Sequence, residues 1–420
     1  MKLLVKNGIL PELGAADLLV EDGIIVKIEK NIECEDAEVI DAKGRFVMPG
    51  MVDLHCHLRD PGLEYKEDIV SGTAAAAAGG FTSICCMANT APVNDNAVVT
   101  SYIVNKAKTE GNGVHVYPIG ALSKGLKGEN MAEIGEMVKA GIVAVSDDGK
   151  PVMNSLLMRL AMEYASAFGV TVFDHCEDIN LVNKGVMNEG YNSTLLGLRG
   201  NTRAAEEVQI ARDIVLSETL NLPIHICHVS TKGGVDLIRY AKARGVKITC
   251  ETAPHYLAGT DDMCGTYNSN TKVNPPLRLT SDQEALIEGL CDGTIDCIAT
   301  DHAPHHRDEK EVEYNIALSG ISGFETAFAL CMEALVHSGK MTIEQFVKVA
   351  CTAPANIIKK NCGELAVGKD ADFAIVDLTE EWCVDAKKFL SKGKNTPFHG
   401  RMVHGRVKET YVAGKCIYKD

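Results

Sequence analysis

The sequence predicts an α/β protein: a (β/α)8 barrel of the TIM type, with a small β-sandwich domain formed by the N- and C-terminal segments. Three observations predict it. Eight apolar, strand-like runs alternate with eight helical patterns between residues 50 and 361. Imidazole and carboxylate side chains fall at the C-terminal ends of nearly all these runs, and a barrel gathers such residues at one mouth. Residues 1–49 and 362–420 share a texture of short strands and turns, each set too small to bury a sheet alone. A doubly wound open sheet shows the same alternation, but it does not bring every strand end to one place.

The N-terminal segment offers strands at Leu3–Val5, Ala16–Val20 and Ile24–Glu29, with Glu21-Asp22-Gly23 as a turn, then Val39–Ile40 and Arg45–Val47. The C-terminal segment offers Asp372–Leu378, Trp382–Val384, Val407–Val412 and Cys416–Tyr418, with Gly414 in a turn. The barrel strands are the run ending at His55, then Phe81–Met87, Val114–Ile119, Gly141–Ser146, Val170–Phe173, Pro223–Cys227, Val246–Cys250 and Ile295–Thr300. The helical patterns are Ile69–Ala78, Ala97–Thr109, Met131–Ala140, Asn154–Phe168, Arg203–Glu218, Gly234–Ala243, Ser281–Gly289 and Gly323–Ser338. Gly79, Gly141 and Gly245 follow helices, where a chain reversal favours glycine.

With 420 residues, 46% hydrophobic and 24% charged, the chain is ordinary for a globular enzyme of one large or two smaller domains. A net charge of −15 argues against nucleic acid or an acidic membrane as partner. The opening MKLLVKNGIL has too short an apolar run for a signal peptide, and no stretch approaches the ~20 apolar residues of a spanning helix. The 15 cysteines are scattered, often within apolar strands, and form no CxxC. Reduced thiols in the cytoplasm are the expectation, with no catalytic role for any of them.

The chemistry begins at MPGMVDLHCHLRDPG, residues 48–62. Side chains two apart on a strand share a face, so His55 and His57 aim together. A lone strand-end histidine is more often a hydrogen-bonded structural group, and a lone aspartate often caps the next helix. Here His175, His228, Asp148 and Asp301 also end strands, and Asn89, Asp147, Glu177, Glu251, His255, His302 and His305 lie nearby in sequence. Four histidines and two aspartates at strand ends point jointly to a metal cluster. Imidazole and carboxylate without thiolate suit zinc, with manganese, cobalt or iron as alternatives.

The motifs DLHCHLRDPG, MANTAPV, SDDG, DHCED, CHVSTKGG, NPPLR and ATDHAPH resemble the class I dihydroorotases of the amidohydrolase superfamily, over nearly the whole chain. The resemblance implies two zinc ions. His55, His57 and Asp301 hold one, His175 and His228 the other, and Asp148 bridges them. Many relatives bridge with a carboxylated lysine; here Lys150 lies two positions past Asp148, already in the turn, and Asp147 matches the family spacing less well. Arg59, Asn89 and His305 match positions that bind a substrate carboxylate, Asn274 one that contacts the ring amide, and His57, Ser319 and Gly320 also line the substrate. Ala317-Leu318-Ser319 lacks the aromatic residue usual before Gly320.

The implied activity is reversible hydrolysis of L-dihydroorotate to N-carbamoyl-L-aspartate in pyrimidine biosynthesis. A metal-activated hydroxide would attack, with Asp301 as base and then acid. Allantoinase, hydantoinase or dihydropyrimidinase are alternatives within the superfamily. A non-catalytic subunit of aspartate transcarbamoylase is another, although such a chain would usually have lost ligands. A homodimer and association with aspartate transcarbamoylase are further expectations from the resemblance. The segment 305–320 reads as too charged to bury and is expected to be a mobile cover over the barrel mouth.

Overall fold

Eight parallel strands form the barrel wall: β1 Met51–Cys56, β2 Phe81–Cys86, β3 His115–Gly120, β4 Ala144–Val145, β5 Thr171–Asp174, β6 Ile224–Ile226, β7 Ile248–Thr252 and β8 Cys297–Ile298. The structure is a computed structural model and describes residues 2–420. Each strand pairs with its sequence neighbours in unbroken order from β1 to β8. Between β8 and β1 the wall is closed by a bridge from Cys56 to His302, with His57 N–H donating to His302 O at 2.8 Å. Asp53, fully buried in β1, reinforces this seam. It accepts from Thr300 N at 2.6 Å and from Thr300 Oγ1 at 2.9 Å.

Two strands are shorter than their apolar runs predict. Gly141 has φ 116° and closes the preceding helix, so the run from 141 enters the ladder only at Ala144. Thr300 spends its N–H on the Asp53 side chain rather than on a neighbouring strand. The helices follow their capping residues: Asp68, Asn96, Asn154 and Thr231 each accept a backbone N–H in the first turn of the helix that follows. The pattern at 323–338 divides into an α-helix, Phe324–Cys331, and a wider π turn, Met332–His337. The helices Ile343–Val347 and Ala353–Ile357 are not anticipated by the sequence pattern. The second matters to the barrel. Ala355 and Ile358 join Val52, Leu54, Cys85, Phe173, Cys227 and Cys297 in one cluster inside the wall. They plug the end opposite the strand C-termini.

The chain ends interlock in a second sheet, with Lys2–Leu10, Gly14–Glu21, Ile24–Glu29, Glu38–Asp41 and Phe46–Pro49 from one end. The other end supplies Phe373–Cys383, Met402–Val412 and Lys415–Lys419. Phe46–Pro49 pairs antiparallel with Phe373–Val376, Val47 opposite Ile375. Its hydrogen bonding is continuous, and its two halves face each other across Leu18, Ile25, Val47, Phe373 and Tyr411. Only Gly50 separates this sheet from β1, and a Cβ there would meet Thr82 Oγ1 at 2.1 Å. Residues 384–400 leave the sheet: Val384, Ala386, Phe389 and Phe398 pack on Ala329 and Leu330 of the barrel helix Phe324–Cys331.

Candidate metal centre and adjoining pocket

The strand C-termini deliver their polar residues to one spot. His55 belongs to β1 and His57 follows it; Asp148, His175, His228 and Asp301 stand just past β4, β5, β6 and β8. His228 and Asp301 have φ of 34° and 45°, and Arg59 has 61°. Such backbone is costly for residues with a Cβ and tends to persist where function requires it.

The ring nitrogens converge on one carboxylate. Asp148 Oδ1 lies 3.3 Å from His55 Nε2, from His175 Nδ1 and from His228 Nε2, while Oδ2 lies 3.5 Å from His57 Nε2. His57 Nε2 also sits 3.1 Å from Asp301 Oδ1. The other nitrogens show which tautomer each ring adopts. His55 Nδ1 is 2.9 Å from Glu251 Oε1, and His57 Nδ1 is 2.9 Å from Asn89 Oδ1. Both partners only accept, so both Nδ1 atoms carry the proton, and a neutral ring then turns a bare Nε2 lone pair toward the carboxylates. His55 Nε2 is a buried atom without a hydrogen bond. Nitrogen lone pairs facing carboxylate oxygens repel unless a cation lies between them. The donor set therefore fits metal ions: imidazoles and carboxylates converge, with no thiolate among the six. The electrostatics agree. With no cation between them the carboxylates draw protons instead: burial opposes charge on His55 and His175, yet Asp148, joined by Glu251 at His55 and by Glu177 at His175, outweighs it and pushes both rings above their ordinary range, His175 to about 10. Burial would raise the Asp301 carboxyl, but His57, His55 and His228 hold it well below the usual carboxylate range. The cluster thus demands positive charge.

Asp147 turns away. Its carboxylate accepts from Leu122 N and Ser123 N, each at 2.9 Å, and from the Ser123 hydroxyl, which ties the loop after β3 to the loop after β4. Lys150 is exposed and does not line the pocket. His302 stacks on Phe324 and accepts from Gly323 N at 3.1 Å, a structural arrangement. His255 is buried against Tyr256, and burial lowers its ring to about 4, so it is neutral.

A cavity of about 290 Å³ opens over this cluster. Arg59, Asn89, Asn274, His305, Ser319 and Gly320 line it together with His57, Asp148, His175, His228 and Asp301. Arg59 Nε donates to Pro304 O at 3.3 Å, and its two terminal nitrogens have no hydrogen-bond partner among the described residues. Asn89 gives its oxygen to His57, which leaves its amide N–H groups free. His305 Nε2 is spent on Ser319 O at 2.8 Å; burial and Arg59 lower this ring to about 3, so its Nδ1 is a bare acceptor. Gly320 has both backbone groups engaged, its N–H on Lys272 O at 2.9 Å and its carbonyl on Asn395 Nδ2 at 2.9 Å, and so it shapes the pocket. Asn274 donates to Glu177 Oε2 at 3.1 Å. Leu318 also lines the cavity and is partly exposed.

Several residues around the site carry roles the sequence reading did not give them. Glu251 bridges His55 and His225, with Oε2 3.2 Å from His225 Nε2. Glu177 Oε2 lies 3.3 Å from His175 Nε2 and orients that ring. In the segment 305–320, Lys310 and Tyr314 are buried, contrary to the expectation that it is too charged to bury. Lys310 Nζ donates to the carbonyls of Leu318 at 2.8 Å and Gly320 at 3.2 Å. Backbone oxygens solvate the ammonium in place of water.

Comparison with known proteins agrees with this geometry. The family described as Dihydro-orotase-like matches residues 44–234. A dihydroorotase of Acetivibrio thermocellus is 58% identical over 97% of this chain and 95% of its own. One from Ruminiclostridium cellulolyticum is 55% identical over 100% and 99%. Among solved structures, an L-hydantoinase (dihydropyrimidinase) from Arthrobacter aurescens superposes with a TM-score of 0.90 at 28% identity, covering 99% of this chain and 96% of its own. A dihydropyrimidinase from Brevibacillus agri, at 23% identity and a TM-score of 0.88, shares the fold. The barrel is thus common to several cyclic amidohydrolases, but identity above one half over nearly the full length is shared with dihydroorotases, and the chain belongs to the dihydroorotase family.

Proposed function

We propose that this protein is a dihydroorotase, hydrolysing L-dihydroorotate reversibly to N-carbamoyl-L-aspartate in pyrimidine biosynthesis in the cytoplasm. The observation that carries the reading is the pairing, in one cavity, of a histidine–carboxylate cluster with the unspent donors of Arg59 and Asn89. Dihydroorotate differs from uncharged dihydrouracil by one carboxylate. A guanidinium offers paired donors that match its two oxygens.

Two zinc ions suit the cluster, and His55, His57, Asp148, His175, His228 and Asp301 would hold them. When bound, they would supply water activation and polarise the ring amide carbonyl. Arg59 and Asn89 bind the substrate carboxylate and turn the ring so that this carbonyl faces the cluster. Asp301, charged at neutral pH, takes one proton of the attacking water as its oxygen bonds to the carbonyl carbon. It returns that proton to the ring nitrogen as the amide C–N bond breaks. Glu251 and Asn89 keep the Nδ1 atoms of His55 and His57 protonated, which holds their Nε2 lone pairs toward the cluster.

The test is hydrolysis of L-dihydroorotate against hydantoin, dihydrouracil and allantoin, with metal content measured on the same sample. Preference for L-dihydroorotate with metal present supports the reading. Preference for an uncharged ring would overturn it in favour of a hydantoinase, the activity named for the structural relative from Arthrobacter aurescens.

A further inference from the structure

The wall of the pocket that carries Arg59 and His305 is held from behind by a strand-less segment near the C-terminus. Asn395 is 4% exposed, and both N–H groups and the oxygen of its amide are engaged. Its Nδ2 donates to Ala303 O at 3.1 Å and to Gly320 O at 2.9 Å. Its Oδ1 accepts from His305 N at 3.0 Å, and the Ser322 hydroxyl, which donates to Gly393 O, lies 3.0 Å from it. Ala303 and His305 follow Asp301; Gly320 and Ser322, at the end of the covering segment, run alongside them, with Ala303 N donating to Ile321 O at 2.8 Å. One side chain therefore cross-braces both. Two residues earlier, a Cβ on Gly393 would meet Pro304 Cβ at 2.6 Å. Pro304 is the residue whose carbonyl accepts from Arg59 Nε at 3.3 Å.

The segment is itself anchored. Leu390 N and Ser391 N donate to Glu325, and the Ser391 hydroxyl and Lys392 N donate to Glu67, a carboxylate buried behind the loop after β1. Ser322 Oγ donates to Gly393 O at 2.8 Å, and Ser322 N to Asn395 O at 2.9 Å. Glu67 stands on the Arg59 side and Glu325 in the helix after β8, so the segment is fixed at both flanks of the wall it supports.

We infer that Asn395 is a positioning residue for substrate binding: together with the close passage of Gly393 past Pro304, it sets the separation between the Arg59–His305 wall and the Ser319–Gly320 rim. This rests on the reading of the cavity as the dihydroorotate site. An asparagine fits because two carbonyls need donors on one side while the His305 N–H needs an acceptor on the other. A carboxylate at 395 would face two carbonyl oxygens without a proton to offer.

The experiment uses the full chain with its metals. Asn395→Ala, Asn395→Asp and Gly393→Ala are compared with the parent for KM and kcat on L-dihydroorotate, metal content, thermal midpoint, and amide hydrogen exchange across residues 303–322. Expected is a KM raised about tenfold or more with kcat within about threefold, at unchanged metal content. In Asn395→Ala exchange should quicken at 303–306 and 319–322, because the acceptor of the His305 amide is lost; Asn395→Asp keeps that acceptor and removes only the donors to Ala303 O and Gly320 O. Gly393→Ala keeps the Asn395 side chain but presses a Cβ against Pro304 Cβ at 2.6 Å and Asn395 Oδ1 at 2.8 Å, so it reports on the wall even if the Asn395 variants do not fold. A kcat that falls with KM unchanged, or unchanged KM in a folded Gly393→Ala together with an Asn395 variant, would overturn the inference. The exchange readout needs no substrate. A parent inert toward dihydroorotate, with quickened exchange in Asn395→Ala, would remove the functional reading and leave the brace standing.

Discussion

Glu251 Oε1 lies 2.9 Å from His55 Nδ1, and the same carboxylate reaches His225 Nε2 with its other oxygen. Burial would raise the Glu251 carboxyl, but its two histidine partners hold it near 2. It is therefore charged at any working pH, and it keeps the proton of His55 on Nδ1. The lone pair for a metal is set by a residue that does not touch the metal.

Glu251→Gln should loosen the metals. A glutamine can offer its N–H to Nδ1, which moves the ring proton to Nε2, where the metal needs the lone pair. Loss of such an orienting carboxylate typically costs 10–100-fold in metal affinity. Retention during dialysis against a graded chelator series checks it. A variant that keeps metal as well as the parent would show that His55 is oriented by packing alone.

Asp148, rather than a carboxylated lysine, should bridge the ions. The Asp148 carboxylate meets three histidine nitrogens at 3.3 Å, whereas Lys150 is exposed beyond the turn. Metal content and activity should not depend on bicarbonate during reconstitution, and Lys150→Ala should keep both ions. Loss of one ion from Lys150→Ala would show that the bridge lies elsewhere.

The joint between barrel and terminal sheet should be pH-dependent. His115 in β3 pairs with Asp372 at 2.9 Å, and this hydrogen bond raises the ring above its ordinary range, against partial burial. A raised folded-state pKa means stabilisation that is complete below the unfolded value of ~6.5 and is lost as pH rises through the folded value. Thermal midpoints of the parent and His115→Gln should therefore differ more at pH 6 than at pH 9. A constant gap would mean that the pair acts through packing. The half-exposed ring limits the size of the effect.

The legible parts of this molecule were those carried by short-range periodicity. His55 and His57 share a face because a strand has a period of two, and strand ends of a barrel meet because its topology has one mouth. Asn395 is different. In KGKNTPF it resembles any turn residue, and its partners Gly320 and Ala303 lie 75 and 92 positions away. Lys310 misleads for a related reason. Its charge argues for water, but the oxygens that solvate it belong to backbone carbonyls, which composition does not reveal. Glu251 was visible at its strand end, yet its role depends on which nitrogen of His55 it meets, and that is geometry across the barrel.

Arg59 should decide which ring is accepted. It stands two residues past His57 with φ 61°, anchored through Nε to Pro304 O, and its terminal nitrogens have no partner among the described residues. It is buried, and burial lowers its guanidinium from the ordinary value against the pull of Asp301, Asp148, Glu309 and Glu67, none of which is within ion-pair distance of it, so a positive charge waits beside the cavity. A carboxylate would match that charge; an uncharged ring would not. A hydrogen bond to a charged group is worth roughly 1.5–3 kcal/mol, and stranding a buried partner costs more. Arg59→Met should therefore lose at least about one to two orders of magnitude in kcat/KM for L-dihydroorotate, each ~1.4 kcal/mol being tenfold. Metal content should hold, because no ligand is changed. Any activity on dihydrouracil should stay level or rise, since the guanidinium gives that ring nothing. The check is kcat/KM for both rings in both proteins at measured metal occupancy. Equal losses on the two rings would place Arg59 in the chemistry or the fold, and would take away the physical basis for a carboxylate-selective pocket.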